Sequence, residues 1–303
     1  MPLLYLAKVN LNSNIFEVYE NMLSIDKICN DIYDKINNSN ICYESKETKK
    51  AQDSLGNVHQ YESTSSYMFQ EIHKFKNEYN EKIITGKLVR TFDRASEEYD
   101  INQKKMIEIH NDESVSIYFY YNVSSELIAF SERQSFGYNQ FIRAFTYILN
   151  NTMEKFTFEI FLQKDEDVLQ EKIEQLYIIN KIKATLIPPN SNEDDLQELR
   201  EELNYIQQFK DTNAIKVDFE YTSDNMNMES KTMQDIMKAV SRGYGDVTAF
   251  GKNNYGKKQK ISSSLDAAYT LDIPDKLSKE EFNKESDGFI KNLKRKLRIK
   301  HMV

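Results

Sequence analysis

Lysine and glycine concentrate between Ser241 and Ser264, in the stretch SRGYGDVTAFGKNNYGKKQKISSS. Four of the chain's eight glycines lie there (Gly243, Gly245, Gly251, Gly256), and Lys252, Lys257, Lys258 and Lys260 follow Gly251 with no acid among them. Glycine reaches positive φ and lets backbone approach another surface closely, and successive glycine N–H groups can cradle an anion. Lysine adds mobile positive charge. The combination suits a phosphate or a nucleic-acid backbone, held by attraction without base readout. Two phosphate loops are excluded. In a P-loop the lysine after the last glycine is followed by a hydroxyl residue that meets magnesium, whereas Gly256-Lys257 is followed by Lys258. In GxGxxG the segment must welcome a pyrophosphate, whereas Gly243-Tyr244-Gly245 runs into Asp246.

A second set of cations closes the chain. Lys291, Lys294, Arg295, Lys296, Arg298 and Lys300 interleave with Phe289, Ile290, Leu293 and Leu297, the pattern of a basic amphipathic helix. Such a helix meets DNA, RNA, anionic lipid or an acidic partner, although cations near a helix C-terminus also suit its dipole. The net charge of −8 hides this division: residues 236–303 hold 15 Lys and Arg against 8 Asp and Glu, whereas residues 1–235 hold 25 against 40. An acidic body with a basic end predicts either polyanion contact or self-association between subunits.

Hydrolytic chemistry has weaker support. Asp218 and Glu220 share one face of a strand, and Glu229-x-Lys231 follows with Asp224 between. A metal-dependent nuclease needs its Glu-x-Lys on a buried strand, but residues 225–230 are polar and dotted with methionine. No serine sits in a GxSxG elbow, and the four histidines (59, 73, 110, 301) lack helical HxxxH spacing. Cys29 and Cys42 form no CxxC pair, so no metal, cofactor or disulfide framework is expected, and a reducing cytoplasm fits. Tyr118 to Tyr121 form a run of four aromatics whose faces alternate on a strand, which serves core packing as well as base stacking. An enzyme is not the favoured reading.

The elements that must position these residues follow from periodicity. Leu3–Asn10 reads as a strand, and Ile15–Asn37 carries apolar residues at helical spacing. Residues 38–62 read as a loop or weak hairpin, Tyr67–His73 as a strand or short helix, and Lys82–Phe92 as a strand with a bulge at Gly86. Lys105–Ile109 is a candidate strand in the charged stretch 93–113. Ser114–Asn122 and Glu126–Gln134 form a hairpin, with a helix over Phe136–Asn151. Then strand and helix alternate: strand 155–162, helix 167–180, strand 182–187, the Pro188-Pro189 break, helix 193–210, strand 214–221, helix 230–241. Strands 246–250 and 258–262 flank a hairpin tip at Asn253-Asn254. Ser278 with Glu281 marks a capping box for the terminal helix, 278–301.

The expected class is α+β: a mixed sheet with helices packed on it, a C-terminal hairpin and a basic terminal helix. One boundary is expected near 111–114, dividing an N-terminal α+β region (1–113) from a mixed-sheet region (114–303). With 303 residues and no apolar run long enough to span a bilayer, the composition predicts a cytoplasmic protein without a transmembrane segment or signal peptide.

The segments SIYFYYN, ELIAFSERQSFGYNQFIRAF, the IPPN turn and SRGYGDVTAFGK, spread over residues 114–273, resemble bacterial domain-of-unknown-function proteins of mobile elements. These are similar, distantly, to RexA-type phage-exclusion proteins and to the B component of the Kiwa defence system. The resemblance implies a phage-defence or mobile-element component that binds DNA and acts with a partner protein, and it transfers no active-site residue. The functional expectation is therefore non-specific nucleic-acid binding, with DNA as the ligand and homo-oligomerisation expected. The binding residues would be Arg242, Lys252, Lys257, Lys258, Lys260, Lys291, Lys294, Arg295, Lys296 and Arg298. The alternatives are a metal-dependent nuclease using Asp218, Glu220 and Glu229, and an interaction or oligomerisation module.

Overall fold

The computed structural model describes residues 2–38, 41–52, 58–100, 104–189 and 209–300. Its larger sheet begins with β1 (Leu3–Leu11), which receives β6 (Leu127–Ser131) on one side. On its other side β1 receives β7 (Phe158–Leu162) and the short β12 (Thr270–Asp272). Beyond β6 lie β5 (Lys105–Asn122), β4 (Lys82–Asp100), β3 (Val58–Lys76) and β2 (Tyr43–Gln52) in that order. The boundary expected at 111–114 falls inside β5, which pairs with β4 along its whole length, so the residues on its two sides share one sheet.

Side-chain alternation clothes this sheet on both faces. Ala7, Val9, Phe69, Leu88, Phe119, Tyr121 and Phe130 point into a core under α1 (Ile15–Tyr19), α2 (Ile25–Lys35) and α3 (Tyr138–Met153). Leu4, Leu6, Ile83, Tyr120 and Ala129 point the other way, under Phe282, Phe289, Ile290 and Leu293 of α7 (Lys279–Lys300). The aromatic run is thereby consumed: Phe119 and Tyr121 face one core, Tyr120 the other, and the half-buried Tyr118 packs edge-on against Phe282. The bulge expected at Gly86 sits on the facing strand, between Gln70 and His73 of β3.

The smaller sheet has the order β11 (Lys258–Ser262), β10 (Gly245–Lys252), β8 (Ile178–Leu186), β9 (Val217–Thr222). Leu169 and Ile173 of α4 (Glu166–Glu174), and Met233, Ile236 and Val240 of α5 (Lys231–Ser241), cover the face made by Ile182, Ala184, Leu186, Val247 and Ala249. A short α6 (Ser263–Asp266) leads back toward β12.

The α+β class holds, but every described strand pair is antiparallel where a mixed sheet was expected. The reason is that β7 and β8, the two strands joined by α4, enter different sheets and never pair with each other. The helix expected over 167–180 stops at Glu174, since Ile178 and Ile179 already pair with β10. The helix expected over 193–210 lies outside the described residues up to 208. Among the described residues, no helix is long and apolar enough to cross a membrane.

Candidate nucleic-acid interface

Among the described residues, the small sheet has one face covered by helices and one face open, and the hairpin lysines belong to the open one. In β8, Ile182 and Ala184 turn inward, so Lys181, Lys183 and Thr185 turn outward. Register carries that face across the sheet. Lys183 pairs with Glu220 and Thr248, Lys181 with Thr222 and Phe250, and Phe250 with Lys260. Lys252 pairs with Lys258 one step nearer the tip. Lys252, Lys257, Lys258 and Lys260 are all exposed, and among the described residues none of the four has an acidic partner. The Lys260 ammonium lies 5.9 Å from the centre of the Phe250 ring.

The glycines act differently from the expectation of an anion cradle. The Gly256 N–H donates to the Asn253 carbonyl and the Gly243 N–H to the Val240 carbonyl, so both amides are occupied within the fold. Gly256 has φ +73° and turns the chain at the hairpin tip, where the Asn253 side chain accepts from the N–H groups of Tyr255 and Lys257. Gly251 sits at a register shift against β8, where a Cβ would collide with the Ile178 carbonyl. Residues 242–244 join the two sheets. The Asn10 amide donates to the Gly243 carbonyl (3.0 Å), Gln163 to the Arg242 carbonyl (3.4 Å), and Lys8 to the Tyr244 hydroxyl (2.9 Å). Arg242 is thus tied by its backbone to the junction, away from the hairpin tip, and its side chain is half-buried.

The cations of α7 are placed and used in another way. Lys291 bonds Glu78 (2.8 Å) and Asp287 (2.5 Å), Lys294 bonds Glu81 (2.8 Å), and Lys296 bonds Asp165 (3.1 Å) and Asp167 (3.0 Å). Partial burial pushes the Lys291 and Lys296 ammonium groups down, but these carboxylates outweigh it and hold both above their ordinary value. Burial likewise pushes the Glu81 carboxyl up, and hydrogen bonds from Lys294, Asn77 and Asn122 overcome it and hold it below the ordinary range. Arg295 is exposed on the same helix, and the side chain of Arg298 lies outside the described set. The ten residues expected to bind together therefore separate into four hairpin lysines with unneutralised charge, Arg242 at the junction of the sheets, and five cations of α7, whose Lys291, Lys294 and Lys296 staple the helix to the body.

Of the nuclease residues, Asp218 and Glu220 share the exposed face of β9, and Glu229 stands apart from them. Two lysine ammonium groups, Lys181 (2.6 Å) and Lys183 (2.7 Å), bracket Glu220 and hold its carboxyl down at about 2. Asp218 accepts from the Thr185 hydroxyl (2.5 Å), and Glu229 lies exposed in the loop before α5. Among the described residues, no group of three His, Cys, Asp or Glu could hold a metal ion.

Three contributors escaped the sequence reading: Lys181 and Lys183 on β8, and Phe250 on β10. The alternation Lys181-Ile182-Lys183-Ala184 carried the signal, since inward Ile and Ala require outward lysines.

A protein-family model, a domain of unknown function designated DUF4747, matches residues 43–291. The chain belongs to the DUF4747 family. The match takes in the whole small sheet, its open face and most of α7, and leaves out β1, the strand shared by β6, β7 and β12. None of the curated proteins compared with the chain matches it.

Proposed function

We propose that this DUF4747 protein holds nucleic acid through phosphate contacts on the open face of the small sheet. The observation that carries the reading is the patch of Lys252, Lys257, Lys258 and Lys260: exposed, contiguous and without acidic partners among the described residues. Lysine is a point charge without a planar fork, so such contacts position a strand and read no sequence. Binding is therefore salt-dependent and insensitive to sequence. The role in phage defence or mobile-element biology, exercised with a partner protein, rests on the resemblance of residues 114–273 described above. A gel shift on random-sequence DNA tests the binding. Replacing the four hairpin lysines by Glu abolishes the shift while the far-UV circular dichroism spectrum stays that of the parent. Undiminished binding by that variant removes the proposal.

A further inference from the structure

Two tyrosine rings stand in water at the end of the small sheet where the lysines gather. Tyr255 is 94% exposed and Tyr177 is 71% exposed, although aromatic side chains of this size ordinarily bury most of their surface. Neither ring belongs to a floppy tail. The Tyr255 N–H is fixed on the Asn253 side chain within the hairpin turn (3.1 Å). Tyr177 immediately precedes Ile178, which pairs with Lys252, so register sets it level with the start of that turn. Phe250 adds a third ring, half-buried on the open face and covered by the Lys260 ammonium. The exposed rings and the ammonium groups thus gather at a single end of one sheet.

Resting on the phosphate-contact reading above, we infer that the occupant of this surface is a single strand of nucleic acid, whose unpaired bases stack on Tyr177 and Tyr255 while its phosphates meet the lysines. The charge pattern requires a polyanion, and the exposed rings require a flat apolar partner carried by that same polyanion. A duplex keeps its base faces inside its own stack, so it gives the rings nothing; a single strand offers every base face. Stacking and phosphate attraction are both indifferent to the ribose 2′-hydroxyl, so the site accepts DNA and RNA strands alike.

Fluorescence anisotropy at one fixed salt concentration tests this with four probes: oligothymidylate of about twenty nucleotides, oligouridylate of equal length, a duplex of equal length, and inorganic polyphosphate. Oligothymidylate is expected to bind about tenfold or more tighter than the duplex, and oligouridylate within roughly threefold of oligothymidylate. The double variant Y177A/Y255A loses about tenfold or more on the single strands, stays within about twofold of the parent on polyphosphate, and Y177F/Y255F restores the loss. Equal binding of duplex and single strand, a sugar preference above about tenfold, or an inert tyrosine pair overturns the stacking while polyphosphate binding leaves the phosphate contacts standing. Failure on polyphosphate and on every oligonucleotide removes the phosphate reading itself.

Discussion

Two regions of this chain look alike in composition and behave oppositely in the fold. The hairpin around Asn253 and the helix α7 both concentrate lysine, yet the hairpin lysines meet no carboxylate among the described residues while Lys291, Lys294 and Lys296 each meet one or two. The difference comes from what lies behind each element. α7 buries Phe282, Phe289, Ile290 and Leu293 on the large sheet, which brings its flanks against the acidic body. The hairpin lies at a sheet edge, where among the described residues no carboxylate neutralises its lysines. Cationic composition alone does not distinguish structural ion pairs from solvated charge; the neighbouring acids do.

The sharpest way to break this comparison is to remove the anchor of α7. Phe289 is buried and stacks on Tyr269 with ring centres 4.8 Å apart, so Phe289→Ala is expected to cost about 3–5 kcal/mol in a urea titration. A neutral outcome would mean that α7 is not the second layer of the large sheet. Next in size, Lys→Glu at the four hairpin positions is expected to weaken oligonucleotide binding about a hundredfold or more, with an unchanged melting temperature. The triple variant K291A/K294A/K296A is expected to do the reverse: a melting temperature lower by a few degrees, because partly exposed pairs are each worth about 0–1 kcal/mol, and binding within about twofold.

A smaller effect is expected at Lys164. Its side chain is fully buried and bonds Asp246 (2.6 Å) and the carbonyls of Leu162 (2.6 Å) and Gly245 (3.2 Å), with burial pushing the ammonium down. Because Asp246 is partly exposed and can regain water, Lys164→Met is expected to cost about 1–2 kcal/mol, less than breaking a fully buried pair. If Lys164→Met is as stable as the parent, the ion pair is not what holds β10 beside Leu162.

The smallest effect concerns acid. The Glu220 carboxyl is held at about 2, below its ordinary 4.5, by Lys181 and Lys183. A depressed carboxyl contributes stability above its unfolded value and loses it as pH falls through the folded one, so this contribution fades between about 4.5 and 2. Carboxyl chemical shifts followed through that window are expected to show Glu220 titrating near the bottom, and near the ordinary value in K181A/K183A. An unshifted midpoint in the double variant would mean that the lysines face solvent unpaired.

Sequence made much of the local structure legible, because periodicity and capping are local. The strand 258–262, the helix over 231–241 and the Ser278–Glu281 capping box, whose side chains exchange hydrogen bonds with each other's N–H groups, were all readable. Sheet membership was not. Nothing in residues 155–187 says that β7 joins one sheet and β8 another, because the pairing partners, β1 and β10, lie far away in sequence. The same limit applied to the site. The charge of residues 291–296 was visible, but Glu78, Glu81 and Asp165 come from more than a hundred positions upstream. Lys181 and Lys183 were visible as an alternation, yet only the register with β9 and β10 joins them to the hairpin.

The salt dependence of binding tests the central claim most directly. For a single strand, the logarithm of affinity falls with the logarithm of salt with a slope of about −0.7 per phosphate contact, so alanine at Lys252, Lys257, Lys258 and Lys260 is expected to flatten the slope by about 3. Alanine at Lys291, Lys294 and Lys296 is expected to leave it unchanged. A slope flattened by the helix variant and untouched by the hairpin variant would contradict the account.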